Sequence, residues 1–218
     1  MKKLIACFFV AAISSLAAFS QIVTATAYFN EISDRYEEII TFECDMAIVA
    51  DGKKMSGHVL YRRPEMVRID FSSPRGPVAM FDGNTLIIYL PSQQTLLQQV
   101  VNNSDAQVSP RGLTLLRRYY SVSFETSADP VPLDEGSSFK VVNLLFTRRA
   151  ASEAFSTIKM SIDPSTKLIR RIVATTPQNK VYRFDFTGYG LNVRITDERF
   201  MYDPPSSINA YNNFLFQE

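Results

Sequence analysis

This chain does not arrange its potentially catalytic residues in any catalytic motif. Its 218 residues include one histidine, His58, which follows Gly57 in a segment typical of a β-strand. A histidine-dependent hydrolase also needs a nucleophile and a group that orients the imidazole. No Gly-x-Ser-x-Gly motif is present to supply a serine, and Gly188-Tyr189-Gly190 is too short for a phosphate-binding loop. The sequence therefore argues against an enzyme.

Metal binding and redox chemistry are also poorly supported. The cysteines are Cys7 and Cys44, and these with one histidine are too few for a zinc site, so no metal or cofactor is predicted. Cys44 is on the same side of its predicted strand as the apolar residues Phe42 and Met46, which predicts a buried, inert thiol. The formal net charge is +1, whereas nucleic-acid binding favours a strongly basic domain, so no nucleic-acid partner is expected.

Arg63 is the charged residue whose position needs an explanation. Val59, Tyr61 and Arg63 are alternate positions, which point to the same side of a strand. A strand that continued through Arg63 would therefore point its guanidinium toward the apolar side. An unpaired buried charge is very costly, so Arg63 would need a partner there. The other interpretation is that the strand ends at Tyr61 and Arg63 is solvated. The alternation alone leaves both interpretations open.

Alternating apolar residues predict four short strands within residues 57–91. Their apolar positions are Val59 and Tyr61, then Val67, Ile69 and Phe71, then Val78 and Met80, then Leu86 and Ile88. This period-two pattern is typical of antiparallel strands with one face against an apolar interior. Further strands are predicted at 42–48, 139–146, 155–162, 168–174, 181–186 and 192–200.

Two segments, 24–40 and 110–120, have apolar residues spaced by three and four, which predicts amphipathic helices. Pro110 near the start of the second segment suits a helix N-terminus. The apolar stripe of this second helix includes Leu113 and Leu116. Two interpretations of the stripe remain open: permanent packing in a closed core, or a lid over an apolar cavity.

These elements predict a mainly β (α+β) fold. A sheet of about 10–11 antiparallel strands is large enough to curl into an incomplete barrel. The N-terminal residues 1–20 have the features of a signal peptide, because Lys2 and Lys3 precede an apolar run and Ser20 lies at a suitable cleavage position. We expect export, cleavage near Ser20 and a single domain over residues 21–218. Loss of the two lysines would reduce the formal charge from +1 to about −1.

Three motifs in the right order resemble the LolA family of periplasmic carriers of outer-membrane lipoproteins. Residues 57–91 contain RRPEMVRIDF and FDGNTLIIY, which are similar to the family's R-P-x-x-x-x-W and S-D-G-K-T-L-W-x-Y runs. Residues 109–116 (SPRGLTLL) lie where the family has its lid helix. Residues 200–205 (FMYDPP) are similar to the family's F-x-F-x-P-P ending. Ile69 and Ile87 occupy positions that are aromatic in the family.

The resemblance implies an apolar cavity, a lid helix and a role for Arg63. In the family, the arginine before that proline hydrogen-bonds the backbone of the lid, so Arg63 is expected to close onto helix 110–120. Val67 corresponds to a position at the cavity mouth. Strand and helix alternation then give the predicted cavity wall as Phe42, Met46, Ile48, Val59, Tyr61, Val67, Ile69, Phe71, Met80, Leu86, Ile88, Leu113 and Leu116.

The resemblance also implies a function and partners. The expected function is that of a monomeric periplasmic chaperone that carries acylated lipoproteins from the inner to the outer membrane. Its expected partners are the inner-membrane ABC transporter complex that releases lipoproteins and an outer-membrane acceptor, where one is present. The alternative is a periplasmic protein of the same fold that binds lipid or glycolipid, or senses lipoproteins.

Four arginine pairs form the remaining charged feature. They are Arg62-Arg63, Arg117-Arg118, Arg148-Arg149 and Arg170-Arg171. If they cluster, they predict contact with an acidic partner or with lipid phosphates; if they are dispersed, they are ordinary solvated surface. The sequence does not show whether any of them share a face.

Overall fold

The computed structural model describes residues 23–100, 112–203, 205 and 208–213. The predicted signal peptide and Pro110 lie outside these residues. The described chain contains helices α1 (Ala25–Glu38) and α2 (Gly112–Tyr119), with 3-10 helices at Pro91–Gln93 and Asp197–Phe200. Its strands are β1 (Thr41–Ala50), β2 (Lys53–Arg62), β3 (Met66–Ser73), β4 (Arg75–Phe81), β5 (Thr85–Leu90), β6 (Thr95–Val100), β7 (Tyr120–Phe124), β8 (Val131–Pro132), β9 (Lys140–Arg148), β10 (Thr157–Ile162), β11 (Ile169–Thr175), β12 (Val181–Leu191) and β13 (Asn209–Asn212).

The strands form one large sheet that is not closed into a barrel. Its order is β13-β6-β5-β4-β3-β2-β1-β12-β11-β10-β9-β7, with β8 paired to β9 off this path. Neighbours are antiparallel except β13, which is parallel to β6. The predicted mainly β fold with an incomplete barrel is confirmed. The described strands outnumber the prediction because β6, β7, β8 and β13 lack a strong alternating pattern.

The strand predicted at 192–200 is wrong. Strand β12 ends at Leu191, because Asn192 has a φ of 53°, in the left-handed region that asparagine tolerates. The amide of Asn192 donates to the carbonyl of Thr41 at 2.7 Å, and its side-chain Oδ1 accepts from the amide of Ile40 at 3.0 Å. These bonds turn the chain away from the sheet, and the next element is the 3-10 helix Asp197–Phe200.

Helix α1 packs on one face of the sheet, which we call the inner face. Thr24 caps the helix, since its Oγ1 accepts from the amide of Ala27 at 3.1 Å. Phe29 and Ile32 are fully buried, and the ring of Phe29 meets Phe146 of β9 edge-on with centroids 4.9 Å apart. The helix predicted over 24–40 is confirmed, and it covers the part of the inner face formed by β7 and β9–β11.

Helix α2 lies next to β7, which continues directly from it. Leu113 and Leu116 are partly buried and pack against the same core cluster as α1. The second predicted helix is therefore present over Gly112–Tyr119, and a movable lid role for it stays a prediction. Within the described ranges, no helix combines the length and apolarity needed to cross a lipid bilayer.

Candidate apolar binding surface

The inner face of β1–β5 forms a continuous apolar surface, because strand register aligns the apolar residues of neighbouring strands. Phe42 is opposite Tyr61, and Val59 is opposite Ile69. Directly paired residues in antiparallel strands point to the same side. Met46 faces Phe186 of β12, which also contacts the α1 core, so this surface is on the same side as α1.

The structure brings most of the predicted wall residues together on this inner face. Those on the strands are Phe42, Met46, Ile48, Val59, Tyr61, Val67, Ile69, Phe71, Leu86 and Ile88. The β1 side of the surface is better buried than the β3–β5 side: Met46, Ile48 and Val59 are buried, whereas Val67, Leu86 and Ile88 remain partly exposed. We call the partly exposed portion, formed by β3, β4 and β5, the open surface.

Met80 is a correction to the predicted wall. It is opposite Arg68 on β3 and Ile87 on β5, which places it on the outer face, opposite α1. There it is 2% exposed and packs with Leu60 and Phe200. The prediction failed because β4 is apolar at consecutive positions, so alternation could not identify its inner side. Register assigns that side to its neighbours, Ala79 and Phe81.

Aromatic side chains border the open surface on its β1 side. The ring of Phe42 stacks on Tyr61 with centroids 4.9 Å apart, and it also contacts Tyr189 at 5.7 Å and Tyr36 at 6.4 Å. The hydroxyl of Tyr189 donates to the carbonyl of Ile169 at 2.8 Å, and the amide of Ile169 donates to the hydroxyl of Tyr36 at 3.0 Å. Burial raises the pKa of both Tyr36 and Tyr189, so these hydroxyls remain neutral.

Arg63 lies at the edge of this surface, just beyond the end of β2. It is exposed, and its Nη1 donates to the carbonyl of Glu37 in the last turn of α1 at 2.7 Å. Its amide donates to the carbonyl of Ile40 at 2.8 Å. The expectation that Arg63 closes onto helix 110–120 is therefore corrected: within the described residues, its side chain hydrogen-bonds α1. A carbonyl in the last turn of a helix is a suitable acceptor for a donor from outside that helix.

Polar groups that the sequence analysis did not assemble lie on the outer face. His58 Nδ1 is 3.0 Å from Asp45 Oδ1, and its Nε2 is 3.6 Å from Glu43 Oε2. His58 and Asp45 border an open groove of about 320 Å³, which is also lined by Met46, Ala47, Ser56, Gly57, Ser72, Asp185 and Thr187. The signal was present, since Glu43 and Asp45 alternate with the apolar residues of β1. Among the described residues, no set of three His, Cys, Asp or Glu side chains is placed to hold a metal ion.

Cys44 has the environment that its alternation predicted. Its side chain is fully buried on the inner face, opposite Val59. Burial, with a smaller contribution from the nearby carboxylate of Asp45, raises the pKa of the thiol to about 12. Since the thiolate is the reactive form, Cys44 is a packing residue of this surface.

Comparison with protein families identifies one that covers most of the chain. The family model described as "Outer membrane lipoprotein carrier protein LolA" matches residues 47–203. This region spans β3–β5 and α2, and therefore contains the open surface and the helix beside the core. A comparison with curated protein sequences gives no match.

Solved structures with the same fold have low sequence identity to this chain. A crystal structure of an uncharacterized conserved protein from Thermus thermophilus has a TM-score of 0.58 at 15% identity, covering 84% of this chain and 98% of that one. The MucA/MucB complex of Pseudomonas aeruginosa gives 0.54 at 14% identity, covering 82% of this chain and 61% of that one. The Mycobacterium tuberculosis lipoprotein LppX gives 0.50 at 14% identity, covering 78% and 98%. At these identities the likeness concerns the fold alone.

Proposed function

The chain belongs to the family of the outer membrane lipoprotein carrier protein LolA, and from this we propose that its open surface binds the acyl chains of lipoproteins in transit between membranes. The observation that carries the proposal is the line of partly exposed apolar side chains on the inner face of β3–β5. Val67, Ile69, Leu86 and Ile88 are on this face without an intervening charged side chain from β3 or β5. Such a surface suits an aliphatic ligand.

The free energy of acyl-chain hydration explains why a carrier would need this surface. Each buried CH₂ contributes about 0.8 kcal/mol, so a 16-carbon chain represents on the order of 10 kcal/mol. An acylated protein therefore does not leave a membrane for water at a useful rate. A carrier must cover most of the chain, yet hold it weakly enough to release it at the next membrane.

Arg63 offers a means of weakening the bound state. Its bond to Glu37 joins the end of α1 to the turn between β2 and β3. Tyr61, which borders the open surface, is on β2, two residues before Arg63. We propose that Arg63 is a latch and that admitting an acyl chain moves this end of α1 and breaks the bond. Part of the binding free energy is then used for opening, which lowers affinity and favours release.

A matched pair of substitutions on β5 tests the binding surface. Ile88 is on the inner face, whereas its neighbour Ile87 is on the outer face near Met80. Ile88→Asn removes apolar contact worth more than about 1 kcal/mol, so it should weaken binding of a fluorescent fatty acid about tenfold. Ile87→Asn should leave that affinity within about twofold of wild type, because it changes only the opposite face. Thermal unfolding of both variants separates lost binding from lost stability.

The outcomes distinguish the carrier from other functions. Mass spectrometry of material bound to tagged protein from the periplasm should find acylated N-terminal cysteine peptides. Finding only glycolipid or phospholipid would assign the protein to the lipid-binding or sensing alternative. No uptake of the fluorescent fatty acid, or an equal loss in both β5 variants, would show that the open surface is not the binding site.

We also propose a cellular context, which the family membership and the N-terminal sequence support. The chain is exported after cleavage near Ser20 and acts in the periplasm as a monomer without enzymatic activity. It receives cargo from an inner-membrane ABC transporter complex and delivers it to the outer membrane. A sensing role is the second candidate, because MucB, which has the same fold, is seen in complex with MucA. This chain spans about three fifths of that MucB-complex chain, 61%.

A further inference from the structure

Two of the four arginine pairs are brought together where α2 joins β7. Arg117 and Arg118 are in the last turn of α2, whereas Arg148 is the last residue of β9 and Arg149 follows it. The amide of Arg149 donates to the carbonyl of Tyr119 at 2.8 Å. In addition, the Nε of Arg149 donates to the carbonyl of Tyr120 at 3.2 Å. We call Arg117, Arg118, Arg148 and Arg149 the arginine cluster.

The positive charge of this cluster is not neutralised by carboxylates of the described residues. Arg117 donates to the amide oxygen of Asn30, and Arg148 donates to the carbonyl of Ala151 at 3.1 Å. None of its arginines forms an ion pair with an Asp or Glu in the described part of the chain. The segments 111–124 and 139–152, which contain the cluster, have no acidic residue. These acceptors are neutral, so no carboxylate among the described residues offsets the charge of the cluster.

The other two pairs show a different arrangement. Arg62 forms an ion pair with Asp197, and Arg171 is bound by both Asp134 and Asp185. In each of these two pairs, one arginine therefore has an acidic partner among the described residues. The arginine cluster differs in lacking such partners, although it lies in a chain whose formal net charge is only +1. This is a local positive surface rather than the consequence of an overall basic chain.

An exposed aromatic residue within the cluster favours a lipid surface as its partner. Tyr119 is 40% exposed, and the guanidinium of Arg118 lies 5.5 Å from its ring centroid. Tyrosine is enriched at membrane interfaces, where its ring meets the acyl boundary and its hydroxyl meets the headgroups. Guanidinium groups bind phosphate oxygens through paired hydrogen bonds. An anionic lipid surface therefore accounts for both the positive charge and the exposed ring.

We propose that the arginine cluster and Tyr119 dock the protein on the surface of a membrane that contains anionic phospholipid. This goes beyond the acyl-binding function, because it assigns a second surface with a different ligand. Docking would hold the α2 end of the protein at the headgroups during loading or release. The binding is electrostatic, so it should weaken as the salt concentration rises.

Vesicle sedimentation tests the proposal with a matched pair of double variants. The purified protein is mixed with phosphatidylcholine vesicles, or with vesicles that also contain phosphatidylglycerol. We expect binding only to the anionic vesicles. Each basic residue near an anionic surface adds to the free energy of membrane binding. Arg117→Gln with Arg118→Gln should therefore weaken vesicle binding on the order of 30-fold. Lys53→Gln with Lys54→Gln removes the same charge from the exposed start of β2 and should change vesicle binding less than about threefold.

Three results would overturn the proposal: no binding of wild type to anionic vesicles, equal binding to neutral vesicles, or an equal loss in both double variants. Binding of the cluster to an acidic peptide without any vesicle binding would assign it to a protein partner instead. Fatty-acid affinity is measured in the same variants. Loss of vesicle binding with unchanged fatty-acid affinity supports the docking surface, and failure of fatty-acid binding in wild type would affect the proposed function alone.

Discussion

Replacing Arg63 with leucine tests which helix this arginine holds. In the structure its exposed guanidinium donates to the carbonyl of Glu37 at 2.7 Å, at the end of α1. Water competes for such a bond, so we take its contribution as about 1 kcal/mol. For a protein of this size, that loss should lower the unfolding temperature by about 2–4 °C and leave the fold intact. Release of bound fatty acid should become slower if the latch works as proposed.

Hydrogen exchange followed by mass spectrometry locates the effect. A loss of about 1 kcal/mol should speed exchange about fivefold in the last turn of α1, because opening of that turn becomes easier. Peptides from α2 should be unchanged. The control is Arg62→Leu, which removes the ion pair with Asp197 and should affect the 3-10 helix Asp197–Phe200 instead.

The opposite exchange pattern would refute this reasoning. If Arg63→Leu speeds exchange in α2 and leaves α1 unchanged, the arginine acts on the second helix, as the family resemblance implied. If exchange in α1 rises but fatty-acid release is unchanged, Arg63 has a structural role at the helix end and is not a latch.

Three further predictions concern the sheet. Cys44 should resist a thiol reagent at pH 8 in the native protein and react on unfolding, because burial raises the pKa of its thiol to about 12. Reaction in the native state would contradict the buried placement of Cys44. Gly57→Ala should destabilise the protein by about 1–3 kcal/mol in urea unfolding, because an added Cβ would lie 2.8 Å from the backbone oxygen of Asp70. An unchanged unfolding midpoint would show that the strands readily move apart. The hydrogen bond from Arg171 holds the pKa of the Asp134 carboxyl below its usual value. The stability that this pair contributes is therefore present at pH values above that usual pKa and is lost as the pH falls below it. Asp134→Asn should reduce the acid sensitivity of unfolding.

The sequence predicted those parts of the fold in which local pattern and packing agree. The spacing of apolar residues in α1 corresponds to its buried stripe, which includes Phe29 and Ile32. The alternation in β1–β3 corresponds to the inner face. Strand β13 was missed because all of its residues are exposed and it is held by parallel pairing to β6, which leaves no alternating pattern. Its position depends on a distant segment of the chain.

The two faces of the sheet explain why the candidate site was only partly predictable. Alternation separates two faces but gives no information when both are covered, as at Met80, which is buried under the 3-10 helix at Phe200. It also cannot identify the partner of a residue at a strand end. Arg63 reaches α1 because its amide is bound to Ile40, the residue that leads from α1 into β1, and this contact joins segments distant in sequence. Local pattern therefore indicated which surface is apolar, whereas tertiary contacts determine which helix end Arg63 binds.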